Sequence, residues 1–403
     1  MDANKFLLSI IIPTKNRQEF ALKAVEQILQ INDGSIQIVI QDNSDNQILG
    51  DKLSIFNDDI HIKYNHTEGI ISFVDNFSLA VSFADGEYVC IIGDDDGVLP
   101  QILDATKWAS ENNIDAIKPE QSAVYFWPNS NAVGSEEDNG NLYIHKITGE
   151  SRMCDPYKEV IKLLNRGGQK YLSLDMVKLY HGVVKKKCLD NIKQKTGVYF
   201  KGLTPDIYIS VALSLTVEKV VKIDYPLTIS GICNKSGSAD SVTGRHTGKL
   251  EDAPHFRGHK EYEWSSYVPK FYSVETIWAD SALAAIKALN KTELYGEFNV
   301  AALSAYCLKK HPDYKKIIVE HLKDVTVNKN SYRLIFPNYL RYPVMDFVKR
   351  VFRRIMRKKS DSVHFTKVEN IMMAEAAIQH RLNGINVNIE GVLLSAGNFY
   401  TNQ

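Results

Sequence analysis

Three predominantly apolar segments, each a predicted strand, constrain the fold of this chain more than any other feature. They are FLLSIII at 6–12, IQIVIQD at 36–42 and YVCIIG at 88–93. An unbroken apolar run of this length is typical of a strand that is buried on both faces of a parallel sheet. Apolar residues at helical spacing lie between the runs, over 17–31 and 75–86. Strand–helix–strand order with short connections favours right-handed crossovers, so the pattern predicts an α/β fold with a mostly parallel sheet flanked by helices.

Polar side chains follow the end of each predicted strand. The clusters are Pro13 to Arg17, Asp42 to Asp45, and Asp94 to Asp96. The carboxyl ends of adjacent parallel strands meet at one edge of the sheet, and open α/β sheets bind their ligands there. We therefore expect the three clusters to lie together and to form one ligand site.

The third cluster places three consecutive carboxylates directly after a buried segment. In an extended segment Asp94 and Asp96 would point in the same direction and Asp95 would point away. Adjacent carboxylates raise one another's pKa unless a cation neutralises them, and a divalent ion held with phosphate oxygens does this well. The sequence predicts a metal–diphosphate site here. The alternatives are a solvated turn and an acidic helix N-terminus.

Composition and motifs exclude several other classes of protein. Lys and Arg total 48, as do Asp and Glu, so the net charge favours neither nucleic acid nor a membrane surface. The five cysteines lack CxxC spacing, which fits a reducing compartment and neither a disulfide framework nor a zinc site. No apolar run approaches the roughly 20 residues of a membrane span. The sequence also lacks GxxxxGK[ST], GxGxxG after a strand, HExxH and GxSxG. We expect a cytoplasmic protein.

The chain is expected to divide near residue 260, where sheet patterns give way to helical ones without repeats. Residues 261–403 form the predicted helical C-terminal region, and 341–360 within it read as a basic amphipathic helix. Such a helix suits an anionic membrane surface, which would make the protein peripheral on the inner face of the cell membrane. The alternative is a packed surface helix with a solvated basic face. Nucleic-acid binding is not expected, because no companion motif is present.

The segments SIIIPTKNR, IVIQDNSDN and NHTEGIISFVDNFSLAVSFADGEYVCIIGDDDGVLP resemble the N-terminal half of family 2 glycosyltransferases. The resemblance covers residues 6–130 and continues loosely to 250. It implies a GT-A-like, Rossmann-like domain over 1–260, with the donor half at 1–130 and the acceptor half at 131–260. It also implies transfer of a hexosyl or related group, with Mg²⁺ or Mn²⁺, from a nucleoside-diphosphate sugar to a hydroxyl. The acceptor would be a glycan or lipid-linked molecule of bacterial surface polysaccharide synthesis.

Carried over residue by residue, the resemblance implies a donor site and a metal site. Many members read L-D-x-D-D where this chain has Gly93-Asp94-Asp95-Asp96, so Gly93 stands at the first aspartate. This leaves open which carboxylate reaches the ribose and which reaches the metal. The implied donor-binding residues are Pro13, Thr14, Arg17, Asp42, Asn76, Asp94, Asp95, Arg245 and Lys249, and the implied metal ligands are Asp94, Asp96 and His246.

Inverting members of that family use a downstream carboxylate to deprotonate the acceptor hydroxyl. Asp206, in LTPDIYIS, is the best match, and Asp175 and Glu218 are the runners-up. The alternative reading of Asp206 is a charge that stabilises a helix N-terminus. The segment YHGVV at 180–184 resembles the one that faces the acceptor.

Two other functional classes fit the sequence less well than glycosyl transfer. A nucleotidyltransferase with a similar sheet would need a Gly-rich loop after the first strand, and PTKNR lacks one. A non-catalytic scaffold would be expected to lose acidic residues at 94–96 or 206, and all of them are present.

Overall fold

The computed structural model describes residues 6–56, 59–128, 138–234, 247–250, 254–256, 262–325 and 362–397. Its strands, in chain order, are β1 (Phe6–Thr14), β2 (Ile36–Asp42), β3 (Ile62–His66), β4 (Gly86–Ile91), β5 (Gly97–Val98), β6 (Ala116–Pro119), β7 (Ala123–Phe126), β8 (Leu142–Ile144), β9 (Ser151–Cys154), β10 (Val183–Lys185), β11 (Val220–Ile223), β12 (Thr228–Ile232), β13 (Thr247–Gly248), β14 (Tyr272–Ser273) and β15 (Val363–Phe365). Its α-helices are α1 (Gln18–Leu29), α2 (Ile48–Leu53), α3 (Phe73–Ser82), α4 (Gln101–Glu111), α5 (Pro156–Leu164), α6 (Lys186–Thr196), α7 (Pro205–Ser214), α8 (Val274–Ala288), α9 (Val300–Lys310), α10 (Lys315–Val325), α11 (Ile371–Gly384) and α12 (Ile389–Gly397).

The largest sheet has eight strands in the order β3-β2-β1-β4-β10-β6-β11-β9. β1 runs parallel to β2 and β4, β2 to β3, and β6 to β11, whereas β10 and β9 are antiparallel to their neighbours. A five-stranded sheet, β15-β8-β7-β12-β5, and the pair β13-β14 complete the strands. The predicted α/β class with a mostly parallel sheet is confirmed.

The apolar runs are unbroken because helices cover both faces of the sheet. In β1, Ile10 and Ile12 pack in one core with α1 and α4, and Ile11 packs in the other with α3 and α7. All three isoleucines are fully buried. Burying such a side chain stabilises the fold by about 1.5–3 kcal/mol. A polar residue at any of these positions would therefore face a core, whichever way it pointed.

The strand registers bring the three polar clusters to one edge. Thr14 and Asp42, the last residues of β1 and β2, are paired with each other. Ile11 is paired with Ile91, the last residue of β4, so Thr14 stands level with the residues that follow β4. The Thr14 hydroxyl donates a hydrogen bond to Asp94 Oδ2 at 2.5 Å. The expected convergence of the clusters is present in the structure.

The described residues after 260 are mainly helical, as expected, and they pack into the same two cores as the residues before 260. α8 and α9 share one core with α7, and α11 and α12 share the other with α1 and α4. β15 pairs with β8. The domain division near 260 stays a prediction. The basic segment 341–360 lies outside the described residues. Within the described residues, no helix combines the length and the apolar character that a membrane crossing requires.

Candidate functional site

The three aspartates lie in a tight turn after β4. The Asp96 amide donates to the Gly93 carbonyl at 3.2 Å, and Asp96 Oδ2 accepts from the Gly93 amide at 2.6 Å. Because the segment turns, the expectation that Asp94 and Asp96 point in the same direction is wrong. Asp94 and Asp95 face Arg17, whereas Asp96 faces Tyr180.

Gly93 is the position where many related sequences carry an aspartate. A Cβ atom added there would lie 2.6 Å from the Tyr180 hydroxyl and 3.0 Å from Asp96 Oδ2. A side chain at 93 would therefore displace the contacts that hold Asp96. Glycine at this position is therefore compatible with the contacts of Asp96 in this structure, whereas a side chain there would clash with them.

Arg17 supplies the positive charge at this edge of the sheet. Its Nη2 lies 2.8 Å from Asp94 Oδ1 and its Nη1 lies 3.5 Å from Asp95 Oδ1. The Asp94 and Asp95 side chains are 0% and 5% exposed, and the Arg17 side chain is 20% exposed. Arg17 stands between β1 and α1, so the end of the strand and the start of the helix fix its position. The neutralising cation that the aspartates require is, in this structure, a guanidinium.

Burial dominates the ionisation of this cluster. It raises the pKa of Asp94 to about 7 and that of Asp95 to about 6, while the Arg17 charge lowers both pKa values. Burial by itself would lower the pKa of Arg17, but Asp94 and Asp95 hold it above its ordinary value. Two carboxyl groups share one guanidinium, so one negative charge of the pair has no cation when both are ionised.

Asp96 is held by a separate set of donors. Its Oδ1 accepts from the Gly231 amide at 2.7 Å, and its Oδ2 accepts from the Tyr180 hydroxyl at 2.8 Å as well as from Gly93. His181 Nε2 lies 3.3 Å from the same Oδ2. Asp96 is 2% exposed. Every one of these partners belongs to the protein, so the carboxylate acts as a structural acceptor.

The donor set does not fit a divalent ion held between Asp94 and Asp96. Both oxygens of Asp96 and Oδ2 of Asp94 accept hydrogen bonds from protein groups, and the remaining Asp94 oxygen faces Arg17. Among the described residues, no three His, Cys, Asp or Glu side chains are grouped so as to hold a metal ion. His246 and Arg245 lie outside the described residues. Lys249 is exposed after β13.

The other residues expected at the donor site surround the end of β1. Pro13 is buried and paired with Gln41 in the sheet. Asp42 is fully buried, and its oxygens accept from the Ser44 amide at 2.8 Å and the Tyr64 hydroxyl at 3.0 Å. Asn76 donates weakly to the Thr14 carbonyl at 3.4 Å. Its Oδ1 is buried and has no hydrogen-bond partner among the described residues. An unpaired buried oxygen is costly, so a ligand donor at this point would be favourable.

Asp206 lies in a neighbouring pocket, in the first turn of α7 after Pro205. The Tyr171 hydroxyl lies 3.4 Å from Asp206 Oδ2. Burial raises the pKa of Asp206, and its own backbone amide, Lys178, Tyr171 and His181 act in the opposite direction. A carboxyl group with a raised pKa in a pocket is suited to take up a proton near neutral pH.

His181 connects the two sites. It lines the Asp206 pocket and lies against Asp96 on its other side. Burial lowers the pKa of His181, and Asp96 and Asp206 oppose this effect. The family resemblance predicts that 180–184 faces the acceptor, but it assigns no role to His181, Tyr180 or nearby Lys178. The sequence feature that could have indicated these residues is a lysine and a histidine shortly before Gly182, in a segment without periodicity.

The two runners-up for the base are placed differently. Asp175 forms ion pairs with Lys118 at 2.5 Å, with Lys222 at 3.2 Å and also with Arg152. Its negative charge is therefore neutralised by protein groups. Glu218 is exposed. Of the three carboxylates considered, Asp206 is the one that lines the pocket.

Open α/β proteins bind their ligands at the edge of the sheet where parallel strands end. The charged side chains described above gather at that edge, as in a protein of this class. Residues 9–148 match the family model described as glycosyl transferase family 2. This match agrees with the resemblance to family 2 glycosyltransferases that the sequence motifs carry.

The individual relatives share little sequence identity with this chain. Glycosyltransferase GlyG of Streptococcus pneumoniae serotype 4 is 22% identical over 198 residues, which are 48% of this chain and 62% of GlyG. The chain thus spans less than two thirds of the length of that relative. The crystal structure of S. aureus TarS is similar with a TM-score of 0.42 and 13% identity, covering 79% of this chain and 55% of TarS. TarS 1–349 in complex with UDP gives a TM-score of 0.40 and 12% identity, covering 83% and 89%.

Proposed function

We propose that this protein is a glycosyltransferase that moves a sugar from a nucleoside-diphosphate donor to a hydroxyl of a glycan or lipid-linked acceptor. The proposal includes a role in the synthesis of bacterial surface polysaccharide, which the family resemblance implies. The observation that carries it is the meeting of Thr14, Arg17 and Asp94 at one sheet edge, beside a separate pocket that contains Asp206. The match to the family 2 model over 9–148 supports the same activity.

The donor would bind at the end of β1. Arg17 is a partly exposed cation, and a diphosphate is the kind of anion that a guanidinium binds through paired hydrogen bonds. The Asp95 carboxylate would accept a hydrogen bond from a ribose hydroxyl or a base N–H group, and Asp42 would do so where the donor displaces the Tyr64 hydroxyl. The unpaired Oδ1 of Asn76 offers a further acceptor. These side chains would hold and orient the donor while the sugar faces the second pocket.

Asp206 would act as the base. It takes the proton of the acceptor hydroxyl as that oxygen forms a bond to the anomeric carbon. The bond from the anomeric carbon to the diphosphate oxygen breaks, and the diphosphate leaves with the electron pair. Attack from the side opposite the leaving group inverts the anomeric centre. Burial raises the pKa of Asp206 above its ordinary value, which makes its carboxylate a stronger base.

Metal dependence and membrane association stay predictions from the sequence. No step above passes through Mg²⁺ or Mn²⁺, because protein donors already engage Asp96 and Arg17 faces Asp94. Association of 341–360 with an anionic membrane concerns a segment outside the described residues. Localisation on the inner face of the cell membrane depends on that association.

The first test is calorimetric titration of the full chain with UDP, GDP and dTDP, with and without Mn²⁺. Binding of at least one nucleoside diphosphate is expected, and binding of none would refute the proposed donor site. Tighter binding with Mn²⁺ that is lost when Asp95 and Asp96 are both changed to Ala would support the predicted metal dependence.

The second test separates binding from chemistry. Asp206→Asn should retain nucleotide binding and lose sugar transfer by roughly 10²–10⁴-fold, the usual contribution of a general base. Glu218→Gln, which changes an exposed carboxylate, is the matched control and should transfer like the wild type. Retained transfer in Asp206→Asn would refute the base assignment and leave the donor site untouched.

A further inference from the structure

A half-buried lysine, Lys178, lines the Asp206 pocket. Lys178 Nζ lies 3.7 Å from the centre of the Tyr171 ring and 3.4 Å from the Tyr171 carbonyl oxygen. Among the described residues Lys178 forms no ion pair with a carboxylate, although Asp206 lines the same pocket. An ammonium group that is partly removed from water, with only a ring face and one long hydrogen bond as partners, is costly to keep. The arrangement is favourable when an anion completes it.

The surroundings of the pocket carry more positive than negative charge. Lys118, which also lines the pocket, pairs with Asp175 at 2.5 Å, and this single carboxylate is shared by two further cations. Glu120 pairs with one of those, at 2.7 Å. Four cations therefore face three carboxylates in this region: Lys118, Lys178, Lys222 and Arg152 against Asp175, Glu120 and Asp206.

We propose that the pocket binds an anionic group of the acceptor, a phosphate or a carboxylate, with Lys178 as its main contact. This inference rests on the proposed glycosyl transfer, because it assigns the pocket to the acceptor. No salt bridge joins Lys178 and Asp206, so an acceptor can place its anion against the lysine and a hydroxyl beside Asp206. Lys178 would thus select charged acceptors over neutral ones, and the excess positive charge around the pocket adds to the attraction.

The test uses small probes with neutral counterparts. Glycerol 3-phosphate and glucuronate supply the two anions, and glycerol and glucose are their uncharged controls. Calorimetric titration of the full-length wild type should show that at least one anion binds at least about tenfold more tightly than its neutral control, since charge-assisted hydrogen bonds are the strong ones. The phosphate and carboxylate arms then tell which anion the pocket prefers. Repeating the titration with UDP present separates this pocket from the donor site.

Three variants decide whether Lys178 is responsible. Lys178→Met should weaken anion binding by about tenfold or more, and Lys178→Arg should keep it within about threefold. Lys193→Met is the matched control, because Lys193 on α6 also lies over a tyrosine ring but is exposed. Its Nζ is 4.6 Å from the centre of the Tyr199 ring. This variant should bind anions like the wild type. Replacement of a buried charge by an apolar side chain is usually neutral or stabilising, so Lys178→Met should fold.

The proposal is overturned if no anionic probe binds the wild type, if neutral and anionic probes bind equally, or if Lys178→Met binds like Lys193→Met. Its failure is distinct from failure of the proposed function. Nucleoside-diphosphate binding is measured on the same samples, and its absence in the wild type would refute the donor site whatever the anion titrations show.

Discussion

Arg17→Met removes the one cation of the Asp94–Asp95 pair and tests whether the guanidinium holds this site together. The variant keeps most of the side-chain volume but leaves two buried carboxyl groups without their ion-pair partner. Breaking a buried ion pair by removing one partner costs about 3–5 kcal/mol of folding free energy. The partial exposure of Arg17, 20%, argues for the lower part of that range.

The stability that Arg17→Met loses depends on pH, and the direction of this dependence follows from the raised pKa values of Asp94 and Asp95. Asp94 and Asp95 have folded-state pKa values of about 7 and about 6, above the ordinary 3.8, with burial as the main cause. Their contribution to stability is therefore fully present below about pH 4 and is lost as pH rises through about 6 and 7. Arg17 lowers both pKa values, so the variant loses more stability over this interval than the wild type.

A proton can take the place of the missing guanidinium charge, which sets an upper limit on the cost. Protonating a carboxyl group of ordinary pKa costs about 6 kcal/mol at pH 8 and about 2 kcal/mol at pH 5. We expect Arg17→Met to lose about 3–4 kcal/mol at pH 8 and no more than about 2 kcal/mol at pH 5.

Urea denaturation followed by circular dichroism at both pH values measures this difference. Arg152→Met is the control, because Arg152 also pairs with an aspartate, Asp175, but is 59% exposed. It should change stability by less than about 1 kcal/mol at either pH. An equal loss for Arg17→Met at pH 5 and pH 8, or a loss at pH 8 no larger than that of Arg152→Met, would refute the account of the charge balance.

Three further predictions concern the surroundings of the two sites. In Gly231→Ala the new Cβ would lie 1.7 Å from the Asp95 carbonyl oxygen, so thermal denaturation should show a loss of more than about 3 kcal/mol, whereas Gly296→Ala, with nothing within 4 Å, should stay within about 0.5 kcal/mol. Asn76→Ala should weaken nucleoside-diphosphate binding by up to about tenfold in calorimetry while stability changes by less than about 1 kcal/mol. Burial, then Lys118, lowers the pKa of Lys178 to about 7 against the opposing charges of Asp206 and Asp175, so the stability that this lysine contributes is present above pH 10.5 and lost as pH falls through about 7. Lys178→Met should therefore exceed the wild type in stability by about 1–4 kcal/mol at pH 7, and the difference should shrink toward pH 10 in denaturation titrations.

The parallel sheet could be predicted from the sequence because a strand that is buried on both faces is apolar at nearly every position. Ile10, Ile11 and Ile12 alternate between two cores, so none of them can be polar. The order of strands and helices then determines which strand ends meet. This is why the positions of Thr14, Asp42 and the aspartate turn at one edge followed from the pattern, before any contact was known.

The contacts within the site could not be predicted, because they depend on strand insertion and on turn geometry. β10 lies between β4 and β6 and is antiparallel to both. Tyr180 and His181 precede β10, and this insertion sets them beside the end of β4, where the His181 amide donates to the Ile91 carbonyl at 2.9 Å. Nothing in the local sequence indicates that a strand more than 90 residues downstream enters the sheet at that point.

The three aspartates tolerate one another because protein groups engage all of them. Asp94 and Asp95 share Arg17 at the edge where a donor would bind, so a cation that enters there could balance the negative charge that Arg17 leaves over. Asp96 instead binds Gly231 and Tyr180 and touches His181, which lines the Asp206 pocket. A change at Asp96 should therefore disturb both sites at once, whereas changes at Asp94 or Lys178 should disturb only one. Under the proposed function, Asp94 and Asp95 would belong to the donor site, and Asp96 would hold His181 in place beside the acceptor pocket.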